Sequence, residues 1–159
     1  MKILVVYDSL YGNTEKIARA VGKSFGSRKD VEVIRVDQAD PVKLKGVKLL
    51  IVGSPTQRFR PTAAITQFLK TIPKDGLKDV GVAAFDTRLT QRDIEKVRIL
   101  AFFVRIYGYA AQPIANALKK KGGALILPPE GFYVEGMEGP LVEGELERTA
   151  DWAKRIAAM

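Results

Sequence analysis

Six consecutive residues, Ser9-Leu10-Tyr11-Gly12-Asn13-Thr14, combine what a backbone anion site needs. Gly12 lets the chain bring its N–H groups close to a ligand, and Ser9, Asn13 and Thr14 add side-chain donors. A helix starting here would leave its first N–H groups unpaired and point the positive end of its dipole at the same spot, which favours a phosphate. The same residues also suit a plain capped turn between a strand and a helix, and on composition alone both readings stand. Two further stretches could border such a site, Pro55-Thr56-Gln57-Arg58-Phe59 and Phe85-Asp86-Thr87-Arg88. Asp86 and Arg88 read as a loop ion pair, worth at most about 1 kcal/mol when exposed.

What the chain lacks narrows the chemistry further. It has 159 residues with neither cysteine nor histidine. That excludes thiolate nucleophiles, cysteine-held zinc and iron–sulfur clusters, a Ser-His-Asp triad, and most catalytic transition-metal sites. No pair of carboxylates stands out as a general acid and base, which argues against hydrolysis. The net charge is +8, with a balance of +12 over residues 1–129 and −4 over residues 130–159. A basic surface of this kind suits either plain solvation or an anionic ligand or acidic partner. No arginine-rich tail or aromatic–basic repeat points to nucleic acid. No apolar run approaches the roughly 20 residues of a membrane span, so a soluble, cytoplasmic chain is expected.

These residues must be positioned by regular elements, and their pattern is legible. Ile3 to Tyr7, Val47 to Val52 and Val80 to Phe85 are continuous apolar runs, the mark of strands buried on both faces. Val31 to Val36 alternates, as an edge strand does, and Ala124 to Leu127 continues after two prolines into Phe132-Tyr133-Val134. Helical spacing marks Ile17, Ala18, Val21 and Phe25, with Asn13 or Thr14 as the cap, and Ile65, Phe68 and Leu69, with Pro61 in the first turn. It continues through Thr90–Arg105, Ala110–Lys121 and a terminal helix presenting Leu146, Trp152, Ala153 and Ile156 on one face. Five alternations of strand and helix imply one α/β domain over residues 1–159. Its layers are α/β/α around a five-stranded parallel sheet in the order 2-1-3-4-5. Ligands in such sheets bind beyond the carboxyl ends of the strands where strand order reverses, here between the first and third strands.

The run from Val5 through Tyr7-Asp8-Ser9-Leu10-Tyr11-Gly12-Asn13-Thr14 to Ala18 and Val21 resembles the flavodoxin signature. The resemblance continues through Gly53-Ser54-Pro55-Thr56, Phe85-Asp86-Thr87-Arg88, Gly131–Gly136 and Glu143–Trp152. It implies a flavodoxin-like fold that binds flavin mononucleotide (FMN) non-covalently and transfers electrons. Ser9, Leu10, Tyr11, Gly12, Asn13 and Thr14 would then wrap the phosphate. Pro55, Thr56, Gln57, Arg58 and Phe59, with Phe85, Asp86, Thr87 and Arg88, would frame the ring. Two departures stand out: Leu10 and Tyr11 occupy positions where relatives often carry a small hydroxyl, and Gln57 stands where electron carriers often have tryptophan. A response-regulator receiver shares the fold, but Asp8 lacks the acidic cluster it requires. An FMN-dependent NAD(P)H or quinone-type reductase, with the 90–107 insertion forming a pocket or homodimer interface, and a non-redox binding module are the alternatives. Arg58, Arg60 and Arg88 near the expected ring imply a redox partner protein with an acidic docking surface.

Overall fold

The structure, a computed structural model, describes residues 1–27, 30–95, 102 and 108–159. Its centre is built from β1 (Lys2–Tyr7), β3 (Val47–Pro55) and β4 (Gly81–Leu89), the three continuous apolar runs. β2 (Val31–Arg35) pairs with β1 at one edge and is the least buried of these strands, as its alternating sequence demands. The order is β2-β1-β3-β4-β5, and every one of these strand pairings is parallel. Parallel neighbours require crossovers, and the helices that make them cover both faces of the sheet.

Alternation along each strand splits the core in two. Leu4, Val6, Leu50, Val52, Val82 and Ala84 pack against Ile65, Phe68 and Leu69 of α2 (Ala63–Thr71). Ile114, Ala115 and Leu118, from the later helix spanning Ala111–Lys120, complete that layer. On the other face Ile3, Val5, Leu49, Ile51 and Phe85 meet Ile17, Ala18 and Val21 of α1 (Asn13–Ser24). Trp152, Ala153 and Ile156 of the terminal helix, Glu145–Ala157, close it. With the short helix α3 (Gln91–Glu95) between them, the last two helices are α4 and α5. Gly53 is required where β3 passes this core, because a Cβ there would run into the Phe85 ring. Phe85, Phe132 and Trp152 meet edge to face, with centroids 5.9–6.1 Å apart.

Several expected boundaries move, each for a local reason. β4 runs on to Leu89, so Asp86, Thr87 and Arg88 are strand residues paired with Gly131, Phe132 and Tyr133 rather than a loop. The fifth strand is split into β5 (Ala124–Leu125) and β6 (Glu130–Val134), both on β4, because Pro128 and Pro129 cannot donate to the ladder. Pro61 precedes α2 instead of opening it, since Thr62 takes the cap and its Oγ1 accepts the Ile65 N–H at 3.4 Å. Neither Asn13 nor Thr14 caps α1; that place falls to Gly12 in the left-handed region, φ 90°. Leu146 is half-exposed and does not share the buried face of Trp152, Ala153 and Ile156. Of the helix expected over 90–105, Gln91–Glu95 is helical; residues 96–101 and 103–107, including most of the insertion, lie outside the described residues.

Candidate functional site

The turn from β1 into α1 is organised around Ser9. Its Oγ accepts the N–H of Gly12 at 3.0 Å and, more weakly, that of Glu15 at 3.4 Å, which holds the loop against the first helical turn. Ser9 Oγ keeps its own proton to donate. The N–H groups of Asn13 and Thr14 open the helix and have no acceptor among the described residues. Beside them, a Cβ on Gly12 would meet no atom within 4 Å, so the backbone there faces open space. The Asn13 side chain is engaged elsewhere, donating to the Glu138 carbonyl at 2.9 Å. Thr14 Oγ1 lies 2.8 Å from Thr87 Oγ1, both buried, so the pair uses one hydroxyl proton and keeps the other.

After β3 the chain makes a two-residue reversal. Gln57 and Arg60 exchange both backbone hydrogen bonds, at 2.8 and 2.9 Å, with Arg58 at φ 49° and Phe59 at φ 69° between them. This is the primed hairpin turn that asparagine–glycine favours. Placing two residues with side chains there costs about 1–2 kcal/mol each. What the geometry gains is aim, since Arg58 and Phe59 both line the cavity described below. Thr56 holds the turn to the rest of the site: its N–H donates to the Thr87 carbonyl at 3.0 Å and its Oγ1 accepts from Ala110 N at 3.2 Å.

The third wall grows from β4. Asp86 is fully buried, and its two oxygens accept from Arg88 Nε and Nη2, each at 2.7 Å; Oδ2 also accepts the Ala111 N–H at 2.9 Å. Burial pushes the Asp86 carboxyl up, while the Arg88 guanidinium and the Ala111 N–H oppose it. The exposed ion pair expected from the sequence is therefore a buried one, because β4 continues through it. Arg88 folds over Gly131, where a Cβ would strike its guanidinium, and carries the Tyr109 ring on its outer side, 3.7 Å from ring centroid to Cζ. Burial raises the Tyr109 phenol as well, with Arg88 pulling the other way.

Between these walls lies a cavity of about 370 Å³, a volume within the range of small-molecule sites. Leu10, Tyr11, Asn13 and Thr14 form its floor, Pro55 to Phe59 one side, and Thr87 and Arg88 the back. Eleven expected residues thus come together. The other four do not line it: Ser9 and Gly12 shape the loop behind it, Phe85 is in the core, and Asp86 lies under Arg88. Leu89, Ile94, Tyr109, Val134 and Met137 complete the lining without having been singled out as site residues. Of these Val134 lies within the Gly131–Gly136 stretch that the resemblance covers. Among the described residues the lining contains two arginines and no carboxylate, with mostly apolar walls. Helix-start N–H groups without an acceptor among the described residues, open space at Gly12 and a largely apolar cleft suit a ligand with a phosphate at one end and an apolar ring at the other.

Comparison with known proteins agrees with this fold. The flavodoxin family model matches residues 5–152. Among solved structures, oxidised flavodoxin 1 from Bacillus cereus superposes with a TM-score of 0.76 at 16% identity, covering 99% of this chain and 98% of that one. A flavodoxin from the domain Archaea gives 0.72 at 23% identity, covering 99% and 97%. Rubredoxin oxygen:oxidoreductase from Desulfovibrio gigas gives 0.72 at 21% identity, and there this chain corresponds to 35% of the longer protein. Each of these similarities establishes the fold.

Proposed function

The chain belongs to the flavodoxin family, whose members bind FMN, and on that premise we propose that it is an electron-transfer flavoprotein using the cavity between Phe59 and Tyr109. The N–H groups of Asn13 and Thr14 and the free proton of the Thr14–Thr87 pair would hold the phosphate, with the Ser9 hydroxyl bracing the loop behind them. Leu10, Tyr11 and Gly12 supply the backbone that wraps it. Pro55, Thr56, Gln57, Arg58, Phe59, Thr87 and Arg88 would frame the ring, with Phe85 and Asp86 supporting from beneath. Bound FMN supplies the redox chemistry, accepting and returning electrons. The chain's own part is to bind, orient and exclude water. Phe59 and Tyr109 offer aromatic faces, Leu89, Ile94 and Val134 exclude solvent, and Arg88 holds Tyr109 in place.

The observation that carries this reading is the pair of N–H groups at the start of α1 that have no acceptor among the described residues and open onto a cavity whose described lining holds no carboxylate. Arg58 and Arg60 are exposed beside it, which suits a redox partner with an acidic docking face and a docking rate that falls as salt rises. The experiment is the visible spectrum of the purified protein, identification of the flavin released by heat, and reversible bleaching on reduction. Released FMN that cycles supports the reading. A flavin that does not cycle would make the protein a binding module. Steady quinone turnover with a reduced nicotinamide would make it a reductase.

A further inference from the structure

Asp8 follows β1 directly, ahead of the phosphate loop, with its side chain 10% exposed. A carboxylate so placed works against the site, because little water screens it from an incoming phosphate dianion. Its Oδ1 accepts the Ser9 N–H at 2.9 Å and Arg35 Nη2 at 3.3 Å. The same Nη2 donates to the Ser9 carbonyl at 3.1 Å. Arg35 reaches this point because β1 and β2 run in register, pairing Tyr7 with Arg35, so the last residue of β2 stands beside the turn.

We infer that Arg35 is the positioning residue of the phosphate loop: it neutralises Asp8 and fixes the Ser9 peptide whose hydroxyl in turn holds Gly12 and the start of α1. The inference rests on the phosphate assignment proposed above. The second acid near the loop, Glu15, is handled differently. Its Oε1 accepts from Arg19 at 2.8 and 3.1 Å and from the Tyr7 hydroxyl at 3.1 Å, all within or under α1, and it is partly exposed to water. Asp8 has no such screening, and among the described residues Arg35 is the cation bonded to it. The loop therefore depends on a charge supplied from a neighbouring strand, outside the signature that marks the loop in the sequence.

The test compares dissociation constants for FMN and for riboflavin, which lacks the phosphate, in the wild type, Arg35→Gln, Arg35→Lys, Asp8→Asn and the double variant Asp8→Asn/Arg35→Gln. Arg35→Gln should weaken FMN by about tenfold or more while riboflavin changes by less than about twofold. Adding Asp8→Asn should restore most of the FMN preference, because the unmatched charge is gone while the acceptor for Ser9 N–H remains. Arg35→Lys should fall between wild type and Arg35→Gln. Equal weakening of both flavins, or a loss that Asp8→Asn does not repair, would overturn the inference. Should Arg35→Gln fail to fold, Asp8→Asn alone decides: a raised FMN-to-riboflavin preference supports the inference, and an unchanged or lowered one overturns it. A wild-type protein that prefers neither flavin would instead refute the phosphate assignment, and the two failures are thereby distinguished.

Discussion

Replacing Arg88 by methionine separates the buried ion pair from the packing of its stem. Methionine retains the aliphatic stem and loses the guanidinium that lies over Gly131, so Asp86 keeps only the Ala111 N–H as a partner and Tyr109 loses the cation 3.7 Å from its ring. Removing one member of a buried pair costs about 3–5 kcal/mol, because the remaining charge is left without compensation in a dry site. Loss of the cation–π contact falls within that figure, at about 0.5–2 kcal/mol. With a urea m-value of about 2 kcal/mol/M, the midpoint should drop by roughly 1.5–2.5 M. In the variant only the Ala111 N–H still opposes burial at Asp86, so its folded-state pKa rises further above the unfolded value. A group of that kind is destabilising at high pH and is relieved by taking up a proton. The deficit should therefore narrow as pH falls toward 5. Asp86→Asn/Arg88→Met keeps an acceptor for Ala111 N–H without the charge and should lose only about 1–2 kcal/mol. A single variant losing less than about 1 kcal/mol, or a double variant as unstable as the single, would refute this account of the third wall.

Other expectations follow from the same geometry. Phe59→Ala should weaken FMN and riboflavin alike, by about 1–3 kcal/mol in titrations, leaving their ratio unchanged because the ring and not the phosphate is affected. Gly12→Asn should be mild and Gly12→Val severe in thermal melts of the flavin-free protein: the added Cβ meets no atom within 4 Å, so the cost is the φ of 90°, which asparagine tolerates and a β-branched residue does not. Glu145 is raised by burial, but Arg148 and the Tyr133 N–H outweigh that and hold its carboxyl below the usual range. Its stabilising contribution is therefore present above the unfolded-state value of about 4.3 and lost as pH falls through the folded-state value. Glu145→Gln should cost about 1–3 kcal/mol at pH 7 and progressively less toward pH 3 in chemical unfolding.

The architecture was legible wherever burial imposes a pattern. Three continuous apolar runs could only be central parallel strands, and the alternation of Val31 to Val36 could only be an edge. The loop from Ser9 to Thr14 was legible because a glycine among short polar residues between a strand and a helix is unusual chemistry in a small space. What sequence could not convey was the exchange of partners within the site. Ser9, not Asn13 or Thr14, proved to be the side-chain acceptor for the loop, a matter of rotamer and reach that spacing does not encode. Asp86 and Arg88 read as a surface pair because nothing local says that β4 continues for four residues beyond Phe85; its pairing with β6 decides that, through contacts more than 40 residues away in sequence. Val134 and Met137 enter the cavity by the same long-range route, and Tyr109 through its contact with Arg88. Arg35 is the sharpest case: only the strand register brings it to Asp8.

Titration of the flavin-free wild-type chain with FMN and with riboflavin, followed by flavin fluorescence quenching, tests the central claim most directly. Phosphate recognition at the start of α1 predicts one FMN per chain, bound at least about tenfold more tightly than riboflavin, a difference of about 1.4 kcal/mol or more. Equal affinity for the two flavins, or no saturable binding of either, would contradict it.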